Sequence, residues 1–450
     1  MNMASFPALN RKTEAERRQH GVELRRVVAR SEQADWSRPT RRRDPVDILQ
    51  EQGVHRIPAL LPLRYARMRP SAFTFLRGAA AVMAEDLAGT PSTGLRVQTC
   101  GDCHLANFGA YASPEGLPVF DVNDFDETLP APFEWDLKRL ATSLVVAGRE
   151  KGGSDSACEG LAQAASQAYR RTMDRLAGLP PLDAWSTRID LGAALAKIHK
   201  ARVKASETTR LTATLKSGKA SFGLIEHAEG TWRIRDKPPT VYHFAAHELA
   251  TRAAFEGYAA TLAPERRVLL DRYRLRDVAF KIVGVGSVGT FCAIGLFTDA
   301  DGNPLVLQLK EAQESVLARH AGPSAFANQG QRVVAGQRLL QATTDIFLGW
   351  TQPPNDSRHF YVRQLKDSRL AAVGESIESA LPFYAELCGR TLARGHARSG
   401  DAAAIAGYAG DGRVFDNAIA GFAVAYADQT RRDWKQFCAA VDAGRIEANA

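Results

Sequence analysis

Residues 100–127 concentrate polar chemistry in a way that a solvated loop does not. Cys100-Gly-Asp-Cys-His-Leu-Ala-Asn-Phe-Gly109 is followed by Val119-Phe-Asp-Val-Asn-Asp-Phe-Asp-Glu127, which gathers Asp102, His104, Asn107, Asp121, Asp124, Asp126 and Glu127. Several of these acids stand beside glycine or inside an apolar run, where solvated surface charge is rarely found. A turn rich in helix caps and Asx hydrogen bonds is the plain alternative. The pattern favours a site that binds a divalent metal and manages a proton.

Any fold that buries such a stretch needs a large core, and 450 residues supply one, as a bilobed unit or as two to three domains. Hydrophobic residues at 45% and charged residues at 24% describe an ordinary globular chain. No apolar run reaches membrane-spanning length, and the amino terminus lacks the apolar centre of a signal peptide, so no membrane association and a cytoplasmic location are expected. Cys100-Gly-Asp-Cys-His104 matches the c-type haem attachment pattern, but haem attachment requires export. No second Cys or His pair stands at zinc-ligand spacing.

The net charge of +8 permits an anionic partner without demanding one. Much of the excess lies in residues 1–45, in Arg17-Arg18, Arg25-Arg26 and Arg41-Arg42-Arg43, which read as a flexible basic arm. Nucleic-acid binding by that arm is the weaker reading.

Beyond the arm the chain divides by pattern. Residues 46–265 are mostly helical. Helices are expected over about 71–86, from about Glu134, over 155–178, 190–204 and 243–262. Strands at Leu95–Thr99 and Leu117–Val122 bracket the acidic loop as a hairpin-like unit, and a second short hairpin turns near Glu229-Gly230. Residues 266–370 are β-rich, with strands over 277–283, 290–297, 304–311 and 360–365 and a helix over about 328–343. Residues 371–450 return to helix, over about 376–398 and 413–440, and are expected to pack back on the first helical lobe.

Gly284-x-Gly-x-x-Gly289 takes its meaning from what surrounds it. A dinucleotide-binding loop leads into a helix, whereas here TFCAIGLF reads as a strand. A glycine loop between antiparallel strands suits a flap whose N–H groups cover nucleotide phosphates. Such a flap needs a cation on the neighbouring strand. Lys310 shares a strand face with Gln308 and Val306, opposite Leu307 and Leu309. Lys310 is either an edge-strand gatekeeper or a phosphate-binding charge, and the glycine loop favours the second.

These residues carry two resemblances. Gly101-Asp-x-His-x-x-Asn107, Asn123-Asp-Phe-Asp-Glu127 and Trp135-Asp-Leu resemble the catalytic segment of aminoglycoside phosphotransferases and choline kinases. The same GD-x-H-x-x-NFG and NDFDE strings, with GVGSVGT and LQLKEA, resemble the bacterial family of unknown function DUF2252 over nearly the whole chain past residue 45. The kinase-like resemblance implies an α+β, two-lobed protein-kinase-like fold. It is circularly permuted, because the catalytic loop precedes the glycine loop and lysine.

The same resemblance implies the roles. Asp102 is the base toward an acceptor hydroxyl, His104 braces the loop, and Asp136 holds the loop backbone. Asn107 and Asp124, with Asp126 as an extra ligand, hold Mg²⁺. Gly284, Gly286, Ser287, Gly289 and Lys310 bind the phosphates of ATP. One departure stands out: the helix after Lys310 has no glutamate between Asn328 and Thr344 for the usual ion pair, leaving Gln331, Gln337 or Glu314 as substitutes. The resulting expectation is an ATP- and Mg²⁺-dependent phosphotransferase acting on a small-molecule or protein hydroxyl. The 55–70 segment and Arg202, Lys204 and Lys216 are candidates for lining the acceptor site. Three alternatives stay open: a metal-dependent phosphoesterase, a nucleotide-binding pseudokinase, and an anionic-partner binder.

Overall fold

A computed structural model describes residues 12–37, 39–190, 223–228, 230–353, 356–365 and 381–449. Helix makes up 51% and strand 16%, so the fold is mixed α+β with helices carrying most of the packing. The helix expected over 190–204, the acceptor candidates Arg202, Lys204 and Lys216, and residues 366–380 lie outside the described residues.

The centre of the helical part is Phe133–Glu150, whose residues 133–148 are all buried. A helix buried all round must be wrapped by others. Asp155–Ala177, capped by the Ser154 hydroxyl on the Ala157 N–H, lies against it, and Leu381–Ala397 and Val414–Asp442 return to cover both. Their side chains form one continuous core with the acidic segment, including Phe108, Phe120, Phe125, Leu137, Tyr169, Leu392 and Phe422.

The helix expected over 71–86 is two helices, Ala72–Gly78 and Ala80–Ala88, broken at Ala79 where ψ swings to 36°. Helices at Pro45–Gly53, Leu61–Met68 and Ala402–Ala409 have no counterpart in the expectations. Their positions are marked by Pro at the first turn in the first two and by the Asp401 cap in the third.

The basic amino-terminal segment corrects the expectation of a free arm. From Thr13 on it is docked. A capping box between Thr13 and Glu16 starts the helix Glu14–Leu24. Its arginines are absorbed by the fold: Arg17 pairs with Asp401 at 2.9 Å, and Arg25 donates to the Tyr408 and Gly407 carbonyls at the end of Ala402–Ala409. Arg42 sits between Asp86 and Asp433, both at 2.7 Å, with all three side chains buried. Gly21 faces Ala404 and Tyr408 so closely that a Cβ there would meet the Tyr408 nitrogen at 2.7 Å and overlap the Ala404 carbonyl. Gly21→Val should therefore lower stability by about 1–3 kcal/mol, read from chemical denaturation. An unchanged midpoint would show that this helix is not anchored.

The β-rich part is one antiparallel sheet in the order β11-β12-β10-β9-β8-β7. In chain order its strands are β7 (Val241–Tyr242), β8 (Arg274–Lys281), β9 (Cys292–Thr298), β10 (Pro304–Ala312), β11 (Gly349–Thr351) and β12 (His359–Gln364). The glycine loop joins β8 to β9, its antiparallel neighbour, and no helix follows it. Leu305, Leu307 and Leu309 of β10 pack with Phe255 and Tyr258 of the helix Ala245–Tyr258. Val306, on the opposite face, packs with Ile294 and Leu296 under the hairpin of β5 (Ile225–Ala228) and β6 (Thr231–Ile234). Lys310 lies on that second face, in register with Cys292 and Tyr361.

The acidic segment is built differently from the expected single hairpin. β1 (Arg96–Thr99) pairs with β4 (Leu129–Pro132), while β2 (Phe108–Ala112) pairs with β3 (Pro118–Val122). Two neighbouring hairpin-like pairs thus hold residues 100–107 and 123–128 side by side, with the Asn123 N–H donating to the Asn107 carbonyl at 2.8 Å.

Candidate functional site

The two ends of the sequence pattern meet. One cavity of about 90 Å³ is lined by Asp102, His104, Asn107, Asp124, Asp126 and Glu127 from the acidic segment and by Gly284, Val285, Gly286 and Ser287 from the glycine loop. Arg56, Arg77, Glu311 and Gln313 complete much of the wall.

Asp102 sits on a turn that only glycine allows. Gly101 has φ of 83°, and a Cβ there would overlap the Glu127 carbonyl where the two strand ends cross. The Cys100 and Gly101 N–H groups donate to the Asp136 carboxylate at 2.8 and 3.1 Å. Asp136 opens the central helix, so the loop is fixed to a helix whose residues 133–148 are all buried. His396 Nε2 meets the same carboxylate at 3.2 Å, and Tyr169 holds the other ring nitrogen at 3.0 Å.

The Asp102 carboxylate itself is held by Arg139, with Nε at 2.6 Å and a second contact from Nη2. Sequence reasoning missed Arg139, although it lies three residues past Asp136 on the same helical face. His104 Nε2 lies 3.8 Å from Asp102 and its Nδ1 has no hydrogen-bond partner. Burial pushes the His104 imidazole down to about 3 against the pull of Asp102. It is neutral at ordinary pH, with the Phe73 ring edge-on to it at 6.3 Å.

Asn107 donates from Nδ2 to the Asp102 carbonyl at 2.7 Å, which leaves its Oδ1 as an acceptor. Asp124 Oδ1 accepts the Asp126 N–H at 3.2 Å, an Asx turn that fixes the strand end. Asp126 is the hub. One of its oxygens accepts from Ser287 Oγ at 3.1 Å and from Lys310 Nζ, and the other accepts from the Tyr361 hydroxyl at 2.8 Å. Lys310 is 2% exposed. Burial alone would lower its pKa, but Asp124 and then Asp126 raise it well above the usual lysine range, so it stays a cation. The expected substitutes for the missing glutamate do not serve, since Lys310 takes its carboxylate from the acidic strand end. The helix Gln329–Leu340 contributes Arg332 instead, which donates to the Asp126, Thr128 and Gln313 carbonyls at 2.8, 2.6 and 2.8 Å.

The glycine loop is pinned across this site. Arg67 donates to the Gly284 carbonyl at 2.7 Å, Arg56 to the Val288 carbonyl at 2.6 Å, and the Ile57 N–H to the Gly289 carbonyl at 2.7 Å. Gly289 has φ of 91°, and a Cβ would stand 3.0 Å from Arg56. At Gly286 a Cβ would stand 3.1 Å from the Arg77 carbonyl and 4.0 Å from Asp102 Oδ2.

Asp121 does not join the site. It is 1% exposed and is held by Arg394 at 2.5 Å and by the Ala342 N–H at 3.0 Å. Cys100 and Cys103 lie with Asp136 inside 4.8 Å. Burial pushes the Cys103 thiol up to about 11 and Cys100 well above its usual value, and the Asp136 oxygens already accept backbone N–H groups. That trio is a packed core. A larger groove of about 730 Å³ lies between Trp185, Phe326, Leu339 and Trp350, and among the described residues its wall has no Asp, Glu, His or Cys.

Burial pushes the Glu127 carboxyl up to about 7, partly offset by the Val316 N–H and Arg332, with Asp126 and Asp102 adding to the rise. The folded state thus binds a proton that the unfolded chain releases near pH 4.5. Stability falls as pH rises from about 4.5 through about 7, by on the order of 3 kcal/mol. Glu127→Gln keeps an acceptor for the Val316 N–H and should remove that loss. The variant's advantage in denaturation midpoint should grow with pH across this window. A constant difference between pH 5 and 8 would refute the assignment.

A mixed α+β protein with a glycine turn closed over a carboxylate-lined cavity is the class that fold and site define. Residues 56–440 match the family described as an uncharacterized protein conserved in bacteria, DUF2252, and the chain belongs to that family. No curated protein matches the chain, and no solved structure does. Among the described residues no helix is long and apolar enough to cross a membrane.

Proposed function

We propose that this chain is a kinase-like phosphotransferase, permuted in sequence, that moves the γ-phosphoryl group of ATP to a hydroxyl acceptor with Mg²⁺. One observation carries the reading. Ser287 and Lys310, 161 and 184 residues beyond Asp126, both contact it, and Asp126 and Ser287 share a cavity wall with Asp102, Asn107 and Asp124. Phosphoryl transfer needs mostly positioning and charge neutralisation, which is what this set of side chains can supply.

The donor set suits a hard cation. Asn107 Oδ1, Asp124 and Asp126 are oxygen ligands beside further carboxylates, and the nearby His104 is neutral. Bound there, Mg²⁺ supplies charge neutralisation across the phosphate oxygens. Asp102, aligned by Arg139, accepts the acceptor's proton. Lys310 and the glycine-loop N–H groups hold the phosphates. In the present closed arrangement Asp126 occupies the Lys310 ammonium, and the cavity is smaller than the roughly 300–1,000 Å³ of typical ligand sites. Nucleotide entry therefore requires the Ser287 and Lys310 contacts to Asp126 to part and the glycine loop to lift.

A thermal-shift series of nucleotides with and without Mg²⁺ tests the reading. ATP with Mg²⁺ at a hundred times its Kd should stabilise the protein by about 2.7 kcal/mol, and Lys310→Ala should remove most of that shift. If no nucleotide shifts the wild-type protein under either condition, the proposal fails.

A further inference from the structure

Two guanidinium groups in the cavity wall have no role in the chemistry above. Arg77 stands on a helix where pairing with a structural carboxylate is the ordinary outcome, yet among the described residues no carboxylate pairs with it. Its Nε is buried without a hydrogen-bond partner, and its guanidinium lies 6.0 Å from the Phe73 ring. Arg56 is 7% exposed; its Nη1 is taken by the Val288 carbonyl, and its Nε also lacks a partner. A buried donor left unsatisfied is destabilising, so two in one cavity wall point to an absent acceptor. Guanidinium groups match the planar, multidentate geometry of phosphate and carboxylate oxygens.

Position says which anion this is. The phosphate-binding features, Lys310 and Ser287, converge on Asp126. Arg77 lies toward the other end. Its charge bears on His104, the Phe73 ring touches His104 edge-on at 6.3 Å, and its own carbonyl abuts Gly286 beside Asp102. An oxyanion held by Arg77 would hang its neighbouring hydroxyl within reach of the Asp102 carboxylate, as general-base catalysis requires.

We propose that the acceptor is a small hydroxy compound bearing its own phosphate or carboxylate, bound through Arg77. This rests on the phosphotransferase reading. In the transfer, the acceptor oxygen bonds to the γ-phosphorus as the bond to the bridging oxygen breaks and ADP leaves. The hydroxyl proton passes to Asp102.

Inorganic phosphate serves as the probe, titrated into the full-length protein already saturated with Mg²⁺ and a non-hydrolysable ATP analogue. Phosphate should still bind, about tenfold or more weakly in Arg77→Gln, with Arg77→Lys recovering part of the affinity. Affinity for the nucleotide analogue should be the same in all three proteins. Abolition of phosphate binding by the nucleotide would assign the guanidinium to the nucleotide and overturn the proposal. Equal phosphate affinity in wild type and Arg77→Gln would overturn it as well. Failure of the nucleotide itself to bind sinks the phosphotransferase reading separately, and Arg77-dependent phosphate binding is then measured without it. A second arm compares ADP release with glycerol, glycerol 3-phosphate and glycerate. Faster release with an anionic member, lost in Arg77→Gln, supports an anionic acceptor, and equal release with glycerol refutes it.

Discussion

Asp102→Asn should lower phosphoryl transfer by about 10²–10⁴-fold while nucleotide binding with Mg²⁺ persists. Arg139 donates to Asp102 Oδ1 from a position 2% exposed, while Oδ2 faces Gly286 of the glycine loop. Asparagine keeps an oxygen for Arg139 and the length of the side chain. It removes only the negative charge that accepts a proton. Some stability will be lost, because a buried guanidinium then faces an amide, and the midpoint of unfolding is the control for this. Single-turnover ADP formation, measured beside equilibrium binding of an ATP analogue, separates the two effects. A variant that binds and turns over within a few-fold of wild type would remove Asp102 from the chemistry.

What the sequence made legible was local. The GD-x-H-x-x-N string, the NDFDE strand end and the glycine turn between two apolar runs each declare themselves within a dozen residues, and the structure brings all three to one cavity wall. Lys310 followed from simple alternation along β10. The misses have a common physical origin in partners far apart in the chain. The arginines of residues 12–45 read as a solvated arm because their acceptors, Asp401, Asp433 and the Gly407 and Tyr408 carbonyls, come nearly four hundred residues later. β4 carries two prolines in four residues and so reads as a break, yet it pairs with β1. β11 is three residues long, too short to show a period. The expected partners of Lys310, Gln331, Gln337 and Glu314, follow it in the chain, while the fold supplies Asp126 from 184 residues earlier.

Asp136→Ala should have the opposite signature to Asp102→Asn: a large loss of stability, with transfer lost as a consequence. Asp136 is 2% exposed, and its two oxygens accept the Cys100 and Gly101 N–H groups and meet His396. Alanine leaves two buried backbone donors without acceptors, at about 1–3 kcal/mol each, and strips His396 of one partner. A sum on the order of 3–5 kcal/mol is a large share of the roughly 5–15 kcal/mol that holds a typical domain folded. The loss also acts on geometry. The Gly101 N–H is what fixes the left-handed turn carrying Asp102 toward the glycine loop, so a freed loop misplaces the carboxylate even in molecules that remain folded. Denaturant titration should show a much lower midpoint for Asp136→Ala than for Asp102→Asn. His396→Phe, which removes the Nε2 contact to Asp136 and the Nδ1 contact to Tyr169, should fall between them. If Asp136→Ala unfolds at the wild-type midpoint, the acidic loop is held by its two strand pairs alone, and the central helix has no part in aiming Asp102.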